Sequence, residues 1–352
     1  MLKIAVEEAF VTENIKSEWH KILDDGAPGE AGFTELIGGF INPKGTWQQT
    51  VREQLPELGP VRLAAMDAAG VDMQLIALTA PGVQVFNADT GGALAAEAND
   101  ILAAAVSANP QRFQGLAAVA PQAPETAAKE LERALGLGLK GILINSHTKG
   151  EYLDAYSYRP LLEAIESLDV PLYIHPRPVP PGMFQPFGER HFSDSFWGFQ
   201  TDTALHALRL IVTGVFDEFP KLTVVIGHLG EGLPFWLDRL DRQYAGGGRS
   251  KEGKPHWRAK RLPSDYFRDN FYISSSGHNW DPAVRFVEEV VGEDRLMFAV
   301  DYPYADCVQQ TAQAADINLK NADKFYHLNA MRVFDIDIPG VNGGVTSVQR
   351  AV

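Results

Sequence analysis

Short apolar, β-branched runs recur along the chain: KIAV (3–6), VDMQLIAL (71–78), FQGLAAVA (113–120), KGILIN (140–145), PLYIH (171–175), TVVIGH (223–228), FYISSS (271–276) and LMFAVD (296–301). Most lack apolar/polar alternation, which predicts strands buried on both faces, as in a parallel sheet. Between them stand patterns with apolar residues at i, i+3 and i+4. Examples are TGGALAAEANDILAAAVSA, PETAAKELERALGLG and DPAVRFVEEVVG, several closing on Gly or Pro as helix ends do. Eight strands alternating with helices predict an α/β fold, a (β/α)₈ barrel formed by one domain over residues 1–352. The surplus length falls into an insertion after the first strand (about 11–65), loops at 176–198 and 244–264, and a C-terminal tail (about 334–352).

Composition narrows the function. The 352 residues are 45% hydrophobic and 22% charged, as expected for a globular chain with a sizeable core. A formal net charge of −14 argues against nucleic-acid backbones and anionic membranes as partners. Cys307 is the single cysteine, so no intrachain disulfide forms. No apolar run reaches the ~18 residues of a membrane span, and the N-terminus lacks a basic-then-apolar signal pattern. A cytoplasmic location is expected.

Active sites of such barrels sit at the C-terminal ends of the strands. Those ends read Glu7-Glu8, Asn145-Ser146-His147, His175, His228 and Asp301. Each has a plain alternative: Glu7 as a solvated strand end, His175 as a satisfied core histidine, Asp301 as a turn cap. Their convergence on one rim points to a divalent metal site with N and O ligands. Glu231 follows His228 by three residues, close enough to orient its ring. Arg239 serves either as a cation for a substrate carboxylate or phenolate, or as a surface partner of Asp238 or Asp241. His206, on a helical face, is expected to pack against the barrel, while His278 is a second-rank pocket candidate. Trp197, Phe199 and Tyr304 suggest walls for a flat ring.

The motifs IAVEEAF, TAPGVQ, KGILINSHTKGEYLD, VPLYIHPRP, GVFDEFPKLTVVIGHLGEGLPFW and VDYPYA extend from Lys3 to about Phe334. Together they resemble the metal-dependent, non-oxidative aromatic acid decarboxylases of the amidohydrolase superfamily, among them the γ-resorcylate, 2,3-dihydroxybenzoate, salicylate and 5-carboxyvanillate enzymes. The resemblance implies metal ligands at Glu7, His175 and Asp301, a catalytic trio of Asp301, His228 and Glu231, and substrate contacts from Arg239 and Tyr304. It also implies one divalent ion (Mn²⁺ or Zn²⁺, with Mg²⁺ an option), no organic cofactor, a small aromatic carboxylate substrate, and a homodimer or homotetramer. Ala9 stands where hydrolases of the superfamily carry a second ligand histidine, and the fourth strand ends in Asn145-Ser146 with no bridging lysine. A mononuclear centre is therefore expected, with Asp301 protonating the ring carbon of a 2-hydroxybenzoate-type acid. The alternative is a metal-dependent hydrolase or hydratase of the same superfamily.

Overall fold

The computed structural model describes residues 1–27, 29–246 and 258–338. Its strands are β1 (Ile4–Phe10), β2 (Met73–Leu78), β3 (Phe113–Gly115), β4 (Ala117–Ala118), β5 (Ile142–Asn145), β6 (Leu172–His175), β7 (Val224–Ile226), β8 (Phe271–Ser274) and β9 (Leu296–Met297). They pair in parallel and in chain order, β1 to β3 in one run and β4 to β9 in another. β3 and β4 are two pieces of one stretch interrupted at Leu116, whose N–H still reaches the Ile76 carbonyl at 2.9 Å. The last strand lies beside the first: Val6 N–H donates to the Phe298 carbonyl (3.1 Å) and Ala9 N–H to that of Tyr302 (2.7 Å). The predicted (β/α)₈ barrel is thus the architecture the chain adopts.

Most strands are shorter than the apolar runs that predict them. In 296–301 only Leu296–Met297 keep strand pairing, because the Phe298 N–H turns to the Phe325 carbonyl and the Val300 N–H to a side chain. Two apolar layers hold the ring. Inside it, Ile4, Val6, Leu75, Leu143, Tyr173 and Val225 pack together, and Met331 and Phe334 join them. Outside it, the strands bury their other faces against helices. Each fully buried Ile or Val contributes about 1.5–3 kcal/mol.

The insertion is helical, with segments Glu13–Asp24, Ala31–Ile41 and Thr46–Gln54. Its Trp19 Nε1–H donates to the Gly82 carbonyl and its Trp47 Nε1–H to the Tyr304 carbonyl, so it reaches the rim beyond two different strands. Much of the predicted Lys/Arg-rich loop (247–257) and most of the predicted tail (339–352) lie outside the described residues.

Candidate active site

Strict alternation along β1 turns Ile4 and Val6 inward and Ala5 outward, and would send residue 7 outward too. From Ala5 to Glu8, however, the partner positions on β2 advance only from Gln74 to Ile76, so β1 carries one extra residue there. Such a bulge re-aims the side chains that follow it. Glu7 consequently faces into the ring, where the Tyr173 hydroxyl and the Ser274 hydroxyl (2.5 Å) both donate to its Oε2. A Cβ on Gly227 would stand 2.5 Å from that carboxylate, so only glycine admits Glu7 here. With Oε2 doubly held, the buried Oε1 has no hydrogen-bond partner.

Two imidazoles flank that oxygen. His175 Nε2 lies 3.7 Å away and His228 Nε2 3.6 Å away, too long for hydrogen bonds. His175 Nδ1 faces the Pro176 carbonyl (2.8 Å) and Asn145 Oδ1 (3.1 Å), which places its proton on Nδ1 and leaves Nε2 as a lone pair. Burial pushes the His175 imidazole down to about 4 against the pull of Glu7, keeping it neutral. His228 Nδ1 lies 2.8 Å from Glu231 Oε1. Burial lowers the affinity of His228 for its proton, but the charges of Glu231 and Glu7 outweigh it and hold the ring up at about 10. Burial, with the charge of Glu7, pushes the Asp301 carboxyl up to about 8 although His228 opposes it.

The backbone at this rim is strained. Ser146 (φ 38), His228 (φ 48), Leu229 (φ 57), Glu231 (φ 53) and Asp301 (φ 77) all occupy the left-handed region, at about 1–3 kcal/mol each. Such residues persist where surrounding structure over-determines them, and they cluster at functional sites. Gly230 and Gly232, also left-handed, let the chain turn five residues in succession between β7 and the helix Leu233–Ala245.

Among the described residues no group of three or more His, Cys, Asp and Glu side chains stands closed as a metal cage. The donor chemistry nonetheless suits a hard or borderline divalent ion: an unpartnered carboxylate oxygen beside two imidazole nitrogens, one of them a lone pair aimed by the contacts of His175 Nδ1 with Asn145 and Pro176.

A cavity of about 640 Å³ opens from His228 and Glu231, with Trp197, Phe199, Trp236 and Arg239 in its walls. Glu7, His175 and Asp301 are not among its lining residues, so His228 spans the two regions. Arg239 lines the cavity unpaired among the described residues: Asp238 is taken by Arg242 and Asp241 by the Ser264 N–H. The surface-partner alternative for Arg239 therefore falls. His278 also lines the cavity. Tyr304 does not; its hydroxyl meets Thr79 Oγ1 at 2.6 Å and its ring packs on Phe40, beside a smaller hollow that includes Trp47 and Cys307. His206 is fully buried, as expected, and His147 proves equally buried, bonded to the Pro178 carbonyl. The residues that sequence patterns did not flag are Tyr173 and Ser274, with a tyrosine inside the apolar run PLYIH as the one local sign; Glu8, read with Glu7 as a strand end, faces outward.

A family model described as amidohydrolase matches residues 46–336. The chain is 35% identical over 346 residues to a γ-resorcylate decarboxylase from a Polaromonas species, covering 93% of this chain and 99% of the relative. Among solved structures, a manganese-bound 5-carboxyvanillate decarboxylase from Novosphingobium aromaticivorans superposes with a TM-score of 0.92 at 39% identity, covering 95% of this chain and 96% of that one. A dihydroxybenzoic acid decarboxylase from Polaromonas, with manganese and 2-nitroresorcinol bound, gives 0.82 at 33% identity, covering 95% and 97%.

Proposed function

The chain belongs to the amidohydrolase family, within its group of metal-dependent aromatic acid decarboxylases, and we propose that it removes CO₂ from a hydroxylated aromatic acid of the 2-hydroxybenzoate type. The observation that carries this is the unpartnered Glu7 Oε1 between two imidazoles, on the rim that also carries Asp301. Glu7, His175 and Asp301 would hold one divalent ion, Mn²⁺ by analogy with the manganese-bound relatives. Such an ion supplies a concentrated positive charge that a phenolate and a neighbouring carboxylate chelate together.

The protein's own groups perform the rest. Arg239 draws the anionic acid into a cavity walled by Trp197, Phe199 and Trp236, which suit a flat ring. His228, held by Glu231, holds the phenolic oxygen and manages its proton. Asp301 transfers its proton to the carboxyl-bearing ring carbon, forming a C–H bond and breaking aromaticity. The C–C bond to the carboxylate then breaks, its electron pair returns to the ring, aromaticity is restored and CO₂ departs. Asp301 recovers a proton from solvent. Tyr304, whose hydroxyl meets Thr79 outside the cavity walls, is given no part in this scheme.

The test is CO₂ release from salicylate, 2,3- and 2,6-dihydroxybenzoate and 5-carboxyvanillate by the Mn²⁺-loaded protein. Release from one of these, reduced at least ~100-fold in Asp301→Asn, is expected. No release from any of them, with one metal ion bound per chain, moves the assignment to hydrolysis or hydration.

A further inference from the structure

Glu8 is buried on the opposite side of β1 from Glu7, 1% exposed, and the mechanism above makes no use of it. We propose that Glu8, backed by Gln74 and Arg62, is the positioning residue that holds Asp301 in its strained conformation at the rim. This rests on the assignment of Asp301 as metal ligand and proton carrier.

Both Glu8 oxygens are committed. Oε1 accepts the Val300 N–H at 3.0 Å and Oε2 the Tyr302 N–H at 2.8 Å. These are the N–H groups of the residues on either side of Asp301, whose own φ is +77°. In an undisturbed parallel ladder, N–H groups one residue apart on the same side would meet backbone carbonyls of the neighbouring strand. The bulge in β1 brings a side chain to that place, and a two-oxygen acceptor pins both flanking N–H groups at once. The Asp301 carbonyl is tied forward to the Ala305 N–H at 2.9 Å, and the Ala9 N–H donates to the Tyr302 carbonyl at 2.7 Å. The four bonds leave the backbone around residue 301 little freedom.

Behind Glu8 the structure is equally determined. Gln74 Nε2 donates to Glu8 Oε2 (3.4 Å), and Arg62 Nη1 donates to Gln74 Oε1 (3.2 Å). Arg62 Nη2 donates to the Ala9 carbonyl (2.7 Å) and Nε to the Glu57 carbonyl (2.9 Å), while the guanidinium lies 4.7 Å over the Tyr302 ring. Arg62 and Gln74 are fully buried. A buried carboxylate that served only to join two strands could sit anywhere around the ring; this one sits on the N–H groups of the two residues that bracket the reacting residue.

The test compares wild type with Glu8→Gln, Glu8→Asp and Leu131→Ala, the last a fully buried residue of the helical layer outside the ring. Mn²⁺ affinity is read by electron paramagnetic resonance titration, and kcat and KM for CO₂ release are measured below the melting range of every variant. Glu8→Gln turns an amide donor toward one of the two backbone N–H groups. It should weaken Mn²⁺ binding and lower kcat by ~10–100-fold each, with little change in KM. Glu8→Asp keeps a carboxyl group at this position but falls short by a methylene, and decides the matter alone if the glutamine variant does not fold. Leu131→Ala should melt lower yet keep Mn²⁺ affinity and kcat. Glu8 variants that bind Mn²⁺ and turn over as wild type does, or a Leu131→Ala variant with the same losses, would overturn the proposal. A wild type that releases no CO₂ while the Glu8 variants still bind Mn²⁺ less tightly retires the decarboxylation and leaves the positioning role standing.

Discussion

The Glu7 Oε1 atom is open because its sister oxygen is closed. Tyr173 and Ser274 donate from two different strands to Oε2, and their hydroxyls lie 2.9 Å from each other. Removing one donor frees the carboxylate to rotate, so Tyr173→Phe should raise the Mn²⁺ dissociation constant by ~10-fold at nearly unchanged fold, the usual size of a lost outer-shell bond. Isothermal titration of the metal-free protein checks this, and an unchanged constant would show that Ser274, Gly227 and the bulge suffice to orient Glu7. His228 offers a second residue-scale test. Burial opposes its charged form, and Glu231 and Glu7 overcome burial to raise it to about 10. In the metal-free protein this histidine's contribution to stability is complete below the unfolded value of about 6.5 and is lost as pH rises through about 10. Glu231→Gln removes the nearer charge and should bring the ring's titration, followed by NMR, down by ~1–3 pH units; a titration that stays near 10 would credit Glu7 instead.

At the scale of elements, the strands were legible because each is buried on two faces and reads as an unbroken apolar run, and a polar residue that ends such a run marks the rim. That is how Glu7, His175, His228 and Asp301 could be found. The bulge in β1 was not legible, since an extra residue in a strand leaves the apolar pattern unchanged and shows only against β2. Ser274, and the role of Glu8, escaped for a related reason: their partners lie 267 and 292 positions away in the chain. Arg239 was left between two roles because local spacing cannot tell that Arg242 has already engaged Asp238. The turn after β5 supports a prediction of its own. His147 accepts the Gly150 N–H at Nδ1 (3.1 Å) and donates from Nε2 to the Pro178 carbonyl (3.0 Å). His206 accepts the Leu153 N–H at Nε2 (3.1 Å), which leaves Nδ1–H for Ser146 Oγ. Burial first, and nearby arginine charge second, push His147 down to about 2 and His206 down to about 3. The unfolded chain therefore binds the extra protons below about pH 6.5, so these two histidines withdraw stability as pH falls, at ~1.4 kcal/mol per unit for each. Glu8 and Asp301, both raised to about 8, act in the opposite sense, so the difference from His206→Gln isolates the effect. Urea unfolding at pH 7 and pH 5 should show wild type losing more stability than the variant; equal losses would mean His206 is protonated in the folded state.

The whole molecule presents a surface unlike that of a lone globular chain. Trp197 (57% exposed), Phe235 (69%), Trp236 (50%) and Trp280 (66%) stand in solvent, and Phe235 packs edge-on against Trp236 and lies near Phe286. Trp197 and Trp236 also line the cavity that Arg239 enters, so whatever covers this face also closes the mouth of the site. An exposed aromatic group of this kind is what an interaction face presents, and we propose that a second copy of this chain covers it, as in the dimer or tetramer the sequence resemblance implies. Two chains of net charge −14 repel at low ionic strength, so the contact has to rest on apolar burial, and added salt should strengthen rather than weaken it. Phe235 is the residue to change, because it belongs to the patch and not to the cavity wall. Sedimentation velocity at micromolar protein should find wild type associated and Phe235→Glu monomeric. If the partner closes the mouth, KM of the monomeric variant should rise by ~10-fold or more while Mn²⁺ affinity is kept, because Glu7, His175 and Asp301 stand inside the ring and away from that face. A wild type that sediments as a monomer, in low and high salt alike, would leave the aromatic face without a second copy and the cavity open to solvent as each single chain presents it.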